Sequence, residues 1–188
     1  MAHISSLGAG IFTYLDMVTE AIPSGTDTAA EYAALFVGST PGTADTADGQ
    51  VTGVANHLRM PSVREFPSIG TPANIVNVPV YGQKTSSQVQ GQADAPTLEL
   101  TINYIPTNVD GTDELHDILG TQVYFRFMMC DAATTLTNSI GATIANKNTS
   151  FYFKGKVEAI LVNPSLTDQT TATVTLSTQS DFFGPDTK

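Results

Sequence analysis

The chain has 188 residues, 41% hydrophobic and only 14% charged, which is enough apolar material for one packed domain and too short for two. With 18 acidic against 8 basic residues its formal net charge is −10, so the basic footprint of a nucleic-acid binder is excluded and DNA should be repelled. No apolar run approaches the roughly 20 residues of a membrane-spanning helix, no secretory signal is read at the N-terminus, and the single Cys130 has no partner for an internal disulfide, so synthesis in a reducing cytoplasm is expected.

From Met1 to about His57 the sequence is small and polar, with loop-like runs at Ser24–Thr28 and Gly38–Gly49. Between and before them, Ala29–Val37 and Ile11–Ile22 each fit a strand or a short helix, because periodicity does not decide at this length. Residues 1–62 are therefore expected to form an N-terminal arm with local elements packed onto a core at 63–183, and 184–188 to form a C-terminal tail.

The stretch Phe66–Tyr104 holds an apolar strand, a short strand at Asn74–Val80, a polar loop and a second alternating strand. In the loop, Gln83–Asp94 (QKTSSQVQGQAD), Val89 is the only sizeable apolar side chain, so the segment buries too little to offset the entropy of its own ordering. A long loop of this kind is usually functional. Gln83, Lys84, Ser87, Gln88, Gln90, Gln92 and Asp94 are accordingly candidates for contact with a neighbouring subunit.

Alternation then predicts half-buried strands. Leu98, Leu100, Ile102 and Tyr104 are expected inside, with Glu99 among the residues outside. Val123, Phe125, Phe127 and Met129 form the next inner set, against a wet face of Gln122, Tyr124, Arg126 and Met128. Phe151, Phe153, Val157, Ala159 and Leu161 follow, opposite Tyr152, Lys154, Lys156 and Glu158, with Gly155 marking a bulge or a close backbone approach. Ala172, Val174 and Leu176 complete the core. Such strands imply a mainly β fold, an antiparallel sandwich or partial barrel. One flanking helix is expected at Thr112–Leu119, capped by Thr112 or Asp113, with Leu115, Ile118 and Leu119 as its apolar stripe and Gly120 as its stop.

No catalytic, cofactor or metal motif is found. His3, His57 and His116 lie far apart and fit no ligand spacing, Cys130 lies on an interior strand position, and Gly8-Ala-Gly10 lacks the rest of a nucleotide loop. Glu99 and Glu158 could serve as paired carboxylates, but a solvated or lumen-facing role is simpler. Lys154 and Lys156 beside Tyr152 form a small basic aromatic patch, read as edge protection or as partners for carboxylates on the next subunit. The absence of Trp weakens a second reading, a glycan- or ligand-binding sandwich of a virion or cell surface.

The order strand, Pro67-Ser-Ile-Gly-Thr-Pro72, short strand Asn74–Val80, Gln/Ser/Gly-rich arm, Thr97–Tyr104, short helix, strand from Gln122, FKGKVEAI at Phe153–Ile160 and a Thr-rich last strand resembles the tail tube (major tail) proteins of long, non-contractile bacteriophage tails. Tube proteins of contractile tails and secretion machines share the plan. The resemblance implies a tail-tube β-sandwich and no enzyme activity. It further implies stacked hexameric rings forming a virion tube built around a tape measure protein and bounded by tail-tip and terminator proteins. DNA would pass through the lumen without specific binding, Gln83–Asp94 would reach the adjacent ring, and Glu99 and Glu158 would be candidates for an acidic lumen face.

Overall fold

A computed structural model describes residues 12–19, 28–36, 43–44, 51–52, 57–70, 74–82, 84–91, 95–110, 115–131 and 148–187. In chain order the elements are β1 (Thr13–Val18), α1 (Ala29–Leu35), β2 (Thr43–Ala44), β3 (Val51–Thr52), β4 (His57–Arg59), β5 (Val63–Glu65), β6 (Ile75–Val78) and β7 (Ser87–Gln90). They continue with β8 (Thr97–Asn103), α2 (Pro106–Val109), β9 (Gln122–Cys130), β10 (Asn148–Asn163), β11 (Thr171–Thr178) and β12 (Phe183–Thr187). The fold is mainly β and antiparallel. The main sheet runs β4-β1-β9-β10-β11-β8-β5, with β12 also paired to β10, while β2-β3 and β6-β7 are separate ribbons.

The long strand β10 turns the sheet over. Its first half, Asn148–Lys156, pairs with β9, and its second half, from Gly155 to Asn163, pairs with β11. A strand shared in this way makes a corner. At the corner a Cβ on Gly155 would collide with the Ser177 carbonyl oxygen, so the strands approach here because the residue has no side chain. Strands near opposite ends of the sheet consequently fill one core: Leu15 and Met17 of β1 cluster with Leu98, Leu100 and Ile102 of β8, with Phe125 and Phe153 between them.

Just beyond the corner, the register slips between Val157 and Ala159. The extra residue, Glu158, reverses the alternation, so Ile160 packs against the core while Leu161 is 60% exposed. This corrects the expected inward placement of Leu161.

The expected wet face of β9 is also corrected. Tyr124, Arg126 and Met128 are buried; α1 and the Phe36 that follows it lie over Tyr124 and Arg126, forming a second cluster of Val18, Tyr32, Leu35, Phe36, Tyr124 and Tyr152. Tyr32, Leu35 and Phe36 have the spacing of one helix face. The helix begins in a reciprocal cap: the Thr28 amide donates to Glu31 Oε2 at 3.2 Å, and the Glu31 amide donates to Thr28 Oγ1 at 3.3 Å. Ala29–Leu35 is thus helix and Thr13–Val18 strand.

Further differences concern boundaries. β1 lies between β4 and β9 and contributes to the core, so part of 1–62 is integral to the sheet rather than an arm on it. Phe183–Thr187 is β12, paired with β10, rather than a tail. The helix expected at Thr112–Leu119 is replaced by the short α2, with Pro106 in its first turn; Thr112 and Asp113 lie outside the described residues. Leu115 and Ile118 are buried as expected, but Leu119 is 41% exposed. Turn bonds join Leu119 N to His116 O at 3.2 Å and Thr121 N to Ile118 O at 3.0 Å, and Gly120 has φ 72°.

Candidate functional site

The candidate polar loop is half of a hairpin. β6 and β7 pair in the register Ile75↔Gln90, Val76↔Val89, Asn77↔Gln88 and Val78↔Ser87, and Gly91 N donates to Asn74 O at 2.7 Å at the root. Val, Ile and an amide-rich return strand suit a ladder, so Ser87–Gln90 is strand rather than loop. Among the described residues the two strands pack on each other and make no substantial contact with another element. Every residue of both is exposed.

A lone two-stranded ribbon is marginally stable in water, and this one exposes apolar groups on both faces. Ile75 is 56% exposed, Val76 49%, Val89 53% and Tyr81, beside the turn, fully so. Contiguous exposed apolar surface marks an interaction site. Of the residues expected here, Lys84, Ser87, Gln88 and Gln90 are exposed on the arm; Gln83, Gln92 and Asp94 lie outside the described residues. Sequence reasoning read Asn74–Val80 as a short strand but assigned the contact to the polar segment alone. The signal was present in Ile75-Val-Asn-Val-Pro-Val80, a β-branched run with no second apolar partner nearby in sequence.

Glu99 and Glu158 share the outer face of β10, β11 and β8 without pairing. Glu99 lies opposite Thr175, which lies opposite Ala159, so a strand of hydroxyls separates the two acids. Ser177 Oγ donates to Glu158 Oε1 at 2.5 Å, and both glutamates are exposed. The face is a polar plate of Thr171, Thr173, Thr175 and Ser177 with Glu99 and Glu158 beside it and Lys156 opposite Ser177. Tyr152 does not join Lys154 and Lys156 in a surface patch. It is buried, its hydroxyl donates to Asp186 Oδ2 at 3.3 Å, and burial, with Asp186 adding to it, pushes its pKa up to about 12 against the opposing charge of Arg126.

Sequence reasoning also missed a buried ionic row. Asp16 lies opposite Arg59 on one side and Arg126 on the other. Arg59 donates from Nε to Oδ1 at 2.7 Å and from Nη2 to Oδ2 at 3.3 Å; Arg126 donates from Nη2 to Oδ2 at 2.6 Å. Arg59 also covers the Tyr14 ring at 4.0 Å and Arg126 the Phe36 ring at 4.7 Å. Burial pushes the Asp16 carboxyl up, but the charges and hydrogen bonds of the two guanidiniums prevail and hold it at about 2. Separations of 43 and 110 residues hide this row from any local pattern. It locks β4, β1, β9 and α1 together, a structural task.

Among the described residues no three His, Cys, Asp or Glu side chains are grouped to hold a metal. His116 is exposed and Cys130 is buried; His3 and the side chain of His57 lie outside the described residues. No helix among them is long and apolar enough to cross a membrane. Comparison with protein-family models and with curated proteins finds no match to this chain.

Proposed function

We propose that this chain is a structural subunit that polymerises into a hollow tube, in the manner of a bacteriophage tail tube protein. The observation that carries the reading is the β6–β7 arm, whose apolar side chains have no cover from the other described residues of their chain and therefore call for a neighbour. Six copies would form a ring, as the family resemblance implies, and the folded-over sheet with α1 against it is read as the tail-tube plan. The hydroxyl plate with Glu99 and Glu158 would line the lumen. A lining of hydroxyls and carboxylates, with Lys156 set among them rather than in a basic patch, suits a conduit, because extensive phosphate neutralisation by Lys or Arg would retain the DNA that must pass.

In this account the tube lies in the virion, polymerises in the host cytoplasm around a tape measure protein, and ends at tail-tip and terminator proteins. Its work is mechanical. Holding the arm marginally ordered keeps free subunits soluble and defers part of the ordering cost to the growing end. Replacing residues 74–91 by a short Gly-Ser linker should give a folded domain that forms no tubes under electron microscopy. Long tubes from that variant would contradict the reading.

A further inference from the structure

A second apolar feature lies close to the root of the arm. An open cavity of about 290 Å³ is lined by Pro67, Ile69, Phe127, Met129, Phe151 and Phe182 among others. It sits where β9 and the first half of β10 meet the Pro67–Gly70 loop and the approach to β12. Its rings are partly covered already: Phe66 stands edge-on to Phe127 with centroids 5.5 Å apart, and Phe182 lies against Phe153 at 5.0 Å. The lining is apolar and aromatic, which suits a flat side chain better than a polar ligand.

We propose that this cavity is the acceptor for the arm tip of a second copy of the chain, with Tyr81 and Val80 as the inserted group. The inference rests on the tube reading and adds to it the address at which the arm docks. Tyr81 is fully exposed and Val80 is 41% exposed, next to Gly82 at φ 85°, so the most prominent apolar group on the arm is at its free end. Charge supports the same occupant. Lys84 is the only charged residue between Asn74 and Gly91 in a chain of net charge −10. Exposed Asp181 adjoins the lining residue Phe182 in the chain and exposed Glu65 lies two residues before Pro67, against one exposed cation, Arg64, in the same segments, so the charge of these segments is complementary to a cationic tip.

Geometry makes the contact propagate. The arm leaves the chain a few residues after Gly70, which is itself part of the cavity wall. At about 3.3 Å per residue, the span from Asn74 to the turn is roughly 25 Å. A tip seated in one copy's cavity therefore leaves that copy's own arm projecting from beside the seat. Such a head-to-tail contact is heterologous and continues from copy to copy.

The test is disulfide trapping between two single-site variants, Tyr81→Cys and Ile69→Cys, mixed under assembly conditions with assembly followed by sedimentation. Trapped dimers that appear only in assembled fractions, with none when Tyr81→Cys is mixed with Leu166→Cys, are the expected result; Leu166 is equally exposed on the β10–β11 connection. A charge exchange tests the rim with no change to the cavity. Lys84→Glu should raise the concentration needed for assembly several-fold, and Lys84→Glu with Asp181→Lys should restore it. Tubes that form without the Tyr81–Ile69 trap, and that ignore Lys84→Glu, would overturn this acceptor while leaving the tube reading in place. A wild-type chain that stays monomeric alone and with its tail-tip and tape measure partners would overturn both.

Discussion

Asp16 is the most consequential single side chain, because its carboxylate is bonded to both buried guanidiniums in the row. Removing one partner of a buried ionic group leaves the other uncompensated and typically costs about 3–5 kcal/mol. Asp16→Ala should lose that much in urea unfolding. The pH dependence follows from the carboxyl's depressed folded-state pKa of about 2 against 3.8. Its contribution is fully present above about pH 4 and is lost as pH falls through 2. The linkage amounts to about 2 kcal/mol, so the wild-type advantage over Asp16→Asn should shrink between pH 5 and pH 2. An unchanged difference across that range would contradict the ionic role. Gly155→Ala tests the corner independently. Backbone rather than a pliable side chain blocks the added methyl group, so a loss of roughly 1–3 kcal/mol is expected, measured as a lowered unfolding midpoint.

At the scale of elements, β8, β9, β10 and β11 were legible in the sequence because alternation of apolar and polar residues is a local signal. Their inner faces follow it wherever one side meets the core, as Leu98, Leu100 and Ile102 do. The pattern failed where tertiary structure intervened. Tyr124 and Arg126 read as solvent-facing until α1, distant in sequence, covers them, and Leu161 read as buried until a one-residue bulge at Glu158 reverses the strand. The helix expected at Thr112–Leu119 rested on a stripe of Leu115, Ile118 and Leu119, but two of these also suit a tight turn ending at Gly120. Of the candidate contact surface, Asn74–Val80 was read as a strand and Gln83–Asp94 as a loop, so the hairpin that joins them was not seen, since pairing of Val76 with Val89 is a register fact. The arm offers a prediction of its own. Because it has no substantial contact with another element among the described residues, its replacement by a linker should leave the unfolding temperature of the remaining domain within about 2 °C, the shift expected for a change worth a few tenths of a kcal/mol. A large drop in a calorimetric scan would mean that the arm supports its own chain.

For the whole molecule, the proposed tube would have to assemble against its own charge. A formal charge of −10 per copy would make every added copy repel the growing end, and salt screens such repulsion over about 8 Å at physiological strength. The concentration at which assembly begins should therefore fall as salt is raised from tens to hundreds of millimolar, read by light scattering. The opposite trend would place ion pairs, rather than apolar contact, at the centre of the interface. Whether this chain builds the proposed tube is tested most directly by negative-stain electron microscopy of the purified protein across a concentration series, with and without tail-tip and tape measure proteins of the kind the proposal requires. Stacked rings with a continuous central channel are the expected result, and a monodisperse monomer under every one of those conditions would contradict it.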